Sequence, residues 1–167
     1  MSEQIIIVDE QDKIIAYKDR QRIKPGDIYR ITALWLENSK GEVLLAQRGL
    51  NKNYYPGKWG AAAAGMVDKG ENYEKTMLRE MREELSLKNI EIVKGYKQTV
   101  AEERNYFMQW FSAKVDKPSN KFNIQKEEVN TMKWFSKEEL FEVIEKTPDI
   151  FMGSLIVYIK LYYKCDK

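Results

Sequence analysis

Residues 72–86, NYEKTMLREMREELS, leave this chain the least freedom in how it folds. At about 100° per residue on an α-helix, Glu80, Glu83 and Glu84 share one arc, with Glu80 and Glu84 a turn apart. Met77, Leu78, Met81 and Leu85 share a second arc, centred roughly 120° away. The helix must therefore lay its apolar arc on a core while its acids stay together at the edge of that contact. Like charges one turn apart repel by a few tenths of a kcal/mol unless a cation answers them. Two readings follow. The acids are a solvated face balanced by Arg79 and Arg82, or they are three hard oxygen ligands suited to Mg²⁺ or Mn²⁺.

Composition narrows the chemistry. There is no histidine, which excludes Ser-His and Cys-His nucleophilic pairs, histidine zinc sites and imidazole acid-base catalysis. Any catalysis must run on carboxylates, lysine, tyrosine or bound metal. The single cysteine, Cys165, is expected to be an incidental thiol; it excludes an intramolecular disulfide and fits a reducing, cytoplasmic setting. A net charge of +2 gives no support to general polyanion binding, so no nucleic-acid partner is expected. The apolar run at the N-terminus is too short for a signal-peptide core, and IFMGSLIVYIKLYY (150–163) is too short to span a bilayer, so neither export nor a membrane partner is expected.

The rest of the chain reads as one domain over 1–167, with strands and helices mixed. QIIIVD and KIIAYK predict a hairpin over 5–17, and Pro25-Gly26 a turn after it. IYRITALWLEN and EVLLAQRG predict two strands joined at SKG, where Gly41 supplies the turn. LNKNYYPGKWG is a loop turning at Pro56-Gly57. The short AAAAG run (61–65) predicts a tightly packed strand. Strands follow near 90–100 and 104–115 and at VNTMKWF. Ser136 with Glu139 forms a capping box for the helix after it, and a last helix is expected over 149–164.

The stretch from Gly65 to Leu87 closely resembles the Nudix hydrolase signature. Gly65, Glu71, Arg79, Glu80, Met81, Glu83, Glu84 and Leu87 fill their places, and Ser86 stands where glycine is usual. A Ser in that place affects a turn at the helix end, not a proposed ligand. ALWLENSKGEVLLAQRGLNKNYYPGKWGAAAAGMVDKGE and EVNTMKWFSKEEL resemble the flanking segments of the family, so the likeness spans 28–146. IVDEQDKIIAYKDR with Tyr29-Arg30 is similar to the branch near isopentenyl diphosphate isomerase, although Tyr29 replaces the usual histidine.

The resemblance implies an α+β fold, an α/β/α sandwich with a mixed β-sheet flanked by helices. It implies metal-dependent hydrolysis of a nucleoside diphosphate linked to another moiety, by water attack on a diphosphate phosphorus. Glu80, Glu83 and Glu84, with the Gly65 carbonyl, would hold Mg²⁺ or Mn²⁺, and Arg79 and Glu71 would orient them. In many members the general base is a glutamate outside the helix; Glu128 is the first choice by position, with Glu127, Glu103 and Glu102 as alternatives. Arg48, Lys52 and Lys58 flank the expected site and suit phosphate oxygens. Tyr54 and Tyr55 offer faces for a base, while Trp59 reads as packing. An isomerase-like activity is a rival, but the resemblance would then require a cysteine near KWGAAAAG and histidine ligands, both missing. A silent Nudix-like domain binding a nucleotide, RNA or protein is a second rival. A homodimer is expected on base rates alone.

Overall fold

The computed structural model describes residues 3–165; the side chain of Cys165, expected to be an incidental thiol, lies outside what is described. Nine strands join one mixed sheet. β1 (Gln4–Val8) and β2 (Ile14–Asp19) form the expected antiparallel hairpin. β3 (Ile28–Glu37) and β4 (Val43–Arg48) follow, with Gly41 at φ 76° in the turn between them.

β3 organises the sheet. One of its edges pairs in parallel with β8 (Asn105–Lys114) along its whole length, from Ile28↔Asn105 to Glu37↔Lys114. Its other edge is shared in turn by β1, by β6 (Ala64–Met66) and by β4. β4 meets β3 only at Leu36↔Leu44 and Glu37↔Val43, then diverges to pair with β5 (Trp59–Gly60) and β9 (Val129–Phe135). β7 (Val93–Ala101) completes the sheet against β8.

The fork between β3 and β4 is lined by the alanine run, which differs from the sequence expectation of a strand. Only Ala64–Met66 is strand; residues 61–63 bend, although Leu34 N–H still donates to the Ala63 carbonyl at 2.9 Å and Ala62 N–H to the Leu34 carbonyl at 3.2 Å. The backbone groups are satisfied without a regular ladder, and the methyl side chains leave the fork open.

Side-chain alternation along β3 and β4 feeds two cores. Leu34, Leu36 and Leu44 point to one face, where Met77, Met81 and Leu85 of α1 (Tyr73–Leu85) cover them. Trp35, Val43 and Leu45 point to the other, where they join Leu140 of α2 (Lys137–Lys146) and Leu155, Tyr158 and Ile159 of α3 (Gly153–Cys165). Helices thus cover both faces of a mixed sheet, as expected. α2 carries the expected cap, with Glu139 N–H donating to Ser136 Oγ at 3.1 Å. α3 starts later than expected because Pro148–Ile150 forms a separate 3₁₀ turn. Leu78, expected in the core, is 38% exposed; Thr76 takes the buried place beside Met77 instead. Among the described residues, no helix is long and apolar enough to cross a membrane.

Candidate active site

α1 begins at Asn72, whose side chain accepts the Lys75 N–H at 2.9 Å, and ends at Ser86, in the left-handed region at φ 54°. With its apolar arc fixed on the sheet, the helix presents its acids to β6. At Gly65 the fit is close: a Cβ there would lie 2.1 Å from Glu80 Oε1, so any other residue would displace that carboxylate. Glu84 Oε2 accepts the Ala64 N–H at 3.3 Å.

Arg79 holds the cluster together. Its Nη1 donates to Glu80 Oε1 at 2.9 Å and to Glu83 Oε2 at 3.2 Å, its Nε to Glu71 Oε1 at 3.1 Å, and its Nη2 to Asp68 Oδ2 at 3.1 Å. Burial pushes the Glu71 carboxyl up, but hydrogen bonds from Arg79 and from the Thr76 hydroxyl outweigh it and hold Glu71 below its ordinary value. Glu71 is therefore a support for Arg79. Glu80 and Glu84 lie at the other extreme. Burial, with Glu83 repelling and Arg79 only partly compensating, raises Glu80 to about 7. Burial and the neighbouring Glu80 raise Glu84 to about 8.

A cavity of about 470 Å³ opens in front of these acids, a size typical of ligand pockets. It occupies the fork between β3 and β4. Of the residues expected at a site, Gly65, Arg79, Glu80, Glu83, Glu84, Arg48, Lys52, Tyr54, Tyr55 and Glu128 line it. Glu128 is ion-paired with Lys52. Lys58 does not line it, because the loop closes at its base through Arg48 N–H to the Lys58 carbonyl and leaves Lys58 at the root. Trp59 is outside the lining too and packs edge-on against Phe135 at 5.1 Å. Glu127, Glu102 and Glu103 are also outside the lining; Glu102 instead accepts the Tyr55 hydroxyl at 3.0 Å.

Sequence reasoning missed Asp68, Arg20, Tyr29 and Arg104. Asp68 is bound by Arg79, and the other three line the cavity. Arg20 follows β2, Tyr29 is the second residue of β3 and Arg104 sits in the β7–β8 turn, so only tertiary structure brings them to the motif helix.

Among the described residues, no three acids close around a single point as a finished coordination shell. The donor set still suits a hard divalent cation: all oxygens, carried by one rigid helix, with Glu80 and Glu84 both pushed toward neutrality by burial and by neighbouring carboxylates.

The NUDIX domain sequence model matches residues 28–152. The chain is 34% identical over 151 residues to an uncharacterized Nudix hydrolase of Pseudomonas aeruginosa, covering 88% of this chain and 86% of that one. It is 32% identical over 150 residues to another from Yersinia pestis, covering 88% and 81%. A Deinococcus radiodurans crystal structure shares the fold with a TM-score of 0.79 at 21% identity, covering 99% of this chain and all of that one. The NUDIX domain of NrtR from Shewanella oneidensis, solved with ADP ribose, does so with a TM-score of 0.64 at 18% identity, covering 90% and 94%. Sequence, fold and relatives agree that the chain belongs to the Nudix hydrolase family and is a pyrophosphohydrolase.

Proposed function

We propose that the cavity binds a nucleoside diphosphate joined to a second moiety and that the enzyme hydrolyses its diphosphate bridge with Mg²⁺ or Mn²⁺. The observation carrying this reading is that one cavity gathers the three α1 carboxylates, a separate glutamate and basic side chains. Glu80, Glu83 and Glu84, with the Gly65 carbonyl, would hold the cation, and Arg79 keeps three of the surrounding acids in register through Glu71, Glu80 and Glu83. A bound cation would supply charge neutralisation at the diphosphate and make a water more acidic. Arg48 binds phosphate oxygens. Glu128 takes the proton of the attacking water, and Lys52 fixes its carboxylate within the cavity wall. The NrtR domain solved with ADP ribose supports a ligand of this class in a neighbouring fold.

The test is turnover with Mg²⁺ or Mn²⁺ across ADP-ribose, dinucleoside polyphosphates, NADH, coenzyme A, nucleotide sugars and nucleoside triphosphates, read as released nucleotide or phosphate. Glu83→Gln is expected to lower kcat by about 100-fold or more while leaving the fold intact. Near wild-type turnover by that variant would reject the metal-site assignment, and no turnover of any diphosphate by the wild type would favour a binding module.

A further inference from the structure

The cations lining the cavity divide by what they already hold. Arg79 is committed to four acids, Asp68, Glu71, Glu80 and Glu83, and Lys52 to Glu128. Arg20 lies close enough to Asp68 and Glu80 to stabilise their charge. Arg104 differs: among the described residues, no carboxylate is within ion-pair distance of it, although it lines the cavity and is only partly exposed. Its guanidinium lies 3.8 Å over the ring of Tyr54 and 6.0 Å from the ring centre of Tyr29. Arg48 shares the same tyrosine, donating its Nε–H to the Tyr54 carbonyl at 3.0 Å, and it too has no acid partner among the described residues.

A guanidinium over an aromatic ring is held in orientation, and Arg104 is held further by the hydroxyls of Tyr54 and Tyr29, which engage some of its N–H groups and leave others for a ligand. A guanidinium edge matches two oxygens of a phosphoryl group. The stack is itself anchored. Tyr55, next to Tyr54, donates its hydroxyl to Glu102, two residues before Arg104, so the 49–58 loop and the β7–β8 turn are tied at two points. Arg104 and Arg48 thus belong to walls of the cavity other than α1, which carries the acids.

We propose that Arg104, held over Tyr54 and assisted by Arg48, is a substrate-binding residue that grips a phosphoryl group of the diphosphate from a part of the cavity wall other than α1. The inference rests on the reading that the cavity takes a diphosphate. It assigns the phosphate-binding role, expected in the 48–58 loop alone, partly to the turn between β7 and β8.

The test uses inorganic pyrophosphate as the probe, with affinity measured by calorimetry on the full chain. Arg104→Gln is expected to weaken pyrophosphate binding by about 10-fold or more, with unchanged thermal stability, and Arg104→Lys to recover part of the loss. In turnover, Arg104→Gln raises KM and leaves kcat within a few-fold. Tyr55→Phe cuts the second tie between the two loops and is expected to leave pyrophosphate affinity within about 2-fold. Wild-type affinity in Arg104→Gln overturns the proposal, as does an equal loss in Tyr55→Phe, which would assign the effect to loop placement. Should Arg104→Gln be unstable, Arg104→Lys decides: wild-type affinity despite the lost fork geometry overturns it. If the wild type turns over no diphosphate yet needs Arg104 to bind pyrophosphate, the hydrolase reading falls and this one stands.

Discussion

Ser86 occupies the place where the family signature has glycine, and its backbone is left-handed, φ 54° and ψ 31°. A side chain in that region costs about 1–2 kcal/mol, while glycine gives back roughly 0.4–1 kcal/mol through its freer unfolded chain. Ser86→Gly should therefore stabilise the protein by about 0.5 kcal/mol, seen as a higher urea midpoint at unchanged slope; a lower midpoint would contradict this account. A turn at this helix end was legible because helix ends recur in few forms, but that Ser86 keeps the left-handed backbone was not. Gly65 is a second such case. Its place in the motif was readable, but the reason for glycine, a Glu80 carboxylate 2.1 Å from where Cβ would be, arises only when α1 meets β6.

At the scale of elements, periodicity served wherever a segment buries one face. The helix over 72–86, the hairpin and most strands were readable for that reason. The alanine run was not, because methyl groups carry no facial preference and its path is set by the divergence of β3 from β4. Nor was the clasp that fastens the hairpin. Asp12, at φ 62° in the β1–β2 turn, receives Arg30 Nε and Lys97 Nζ at 2.6 Å each and the Tyr73 hydroxyl at 3.1 Å, joining the turn to β3, β7 and the first residue of α1. Arg30 also donates to the Asp12 carbonyl at 2.6 Å. Asp12→Ala leaves a largely buried arginine without its carboxylate and should cost about 2 kcal/mol, measured by chemical denaturation. Asp12→Asn, which tolerates the same backbone, should cost less; equal losses would assign the effect to the lost charge rather than to the turn.

For the whole molecule, the raised pKa values of Glu80, about 7, and Glu84, about 8, against an ordinary 4.5, set how stability depends on pH. The folded protein holds protons that the unfolded chain releases above about 4.5, so metal-free stability should fall as pH rises from about 4.5 to 8 and level beyond it. Asp68 adds to that slope, whereas the lowered Asp12, Asp27 and Glu71 act at more acidic pH. With EDTA, Tm should be higher at pH 5.5 than at pH 8, and saturating Mg²⁺ should narrow or reverse the gap. A flat EDTA profile would show that the two acids are not the strained pair described.

Much of the acidic wall could be read from sequence because one helix carries it. The part of the wall with Arg104 and Tyr29 could not, since these residues meet only through the pairing of β3 with β8. That pairing joins positions about 77 residues apart. On the ribosome, β3 emerges with the edge meant for β8 bare, and Leu34-Trp35-Leu36 remain available for mispairing until Lys114 has cleared the exit tunnel. The central strand is thus finished late, and a chain halted before β8 would carry the signature helix yet be prone to aggregate.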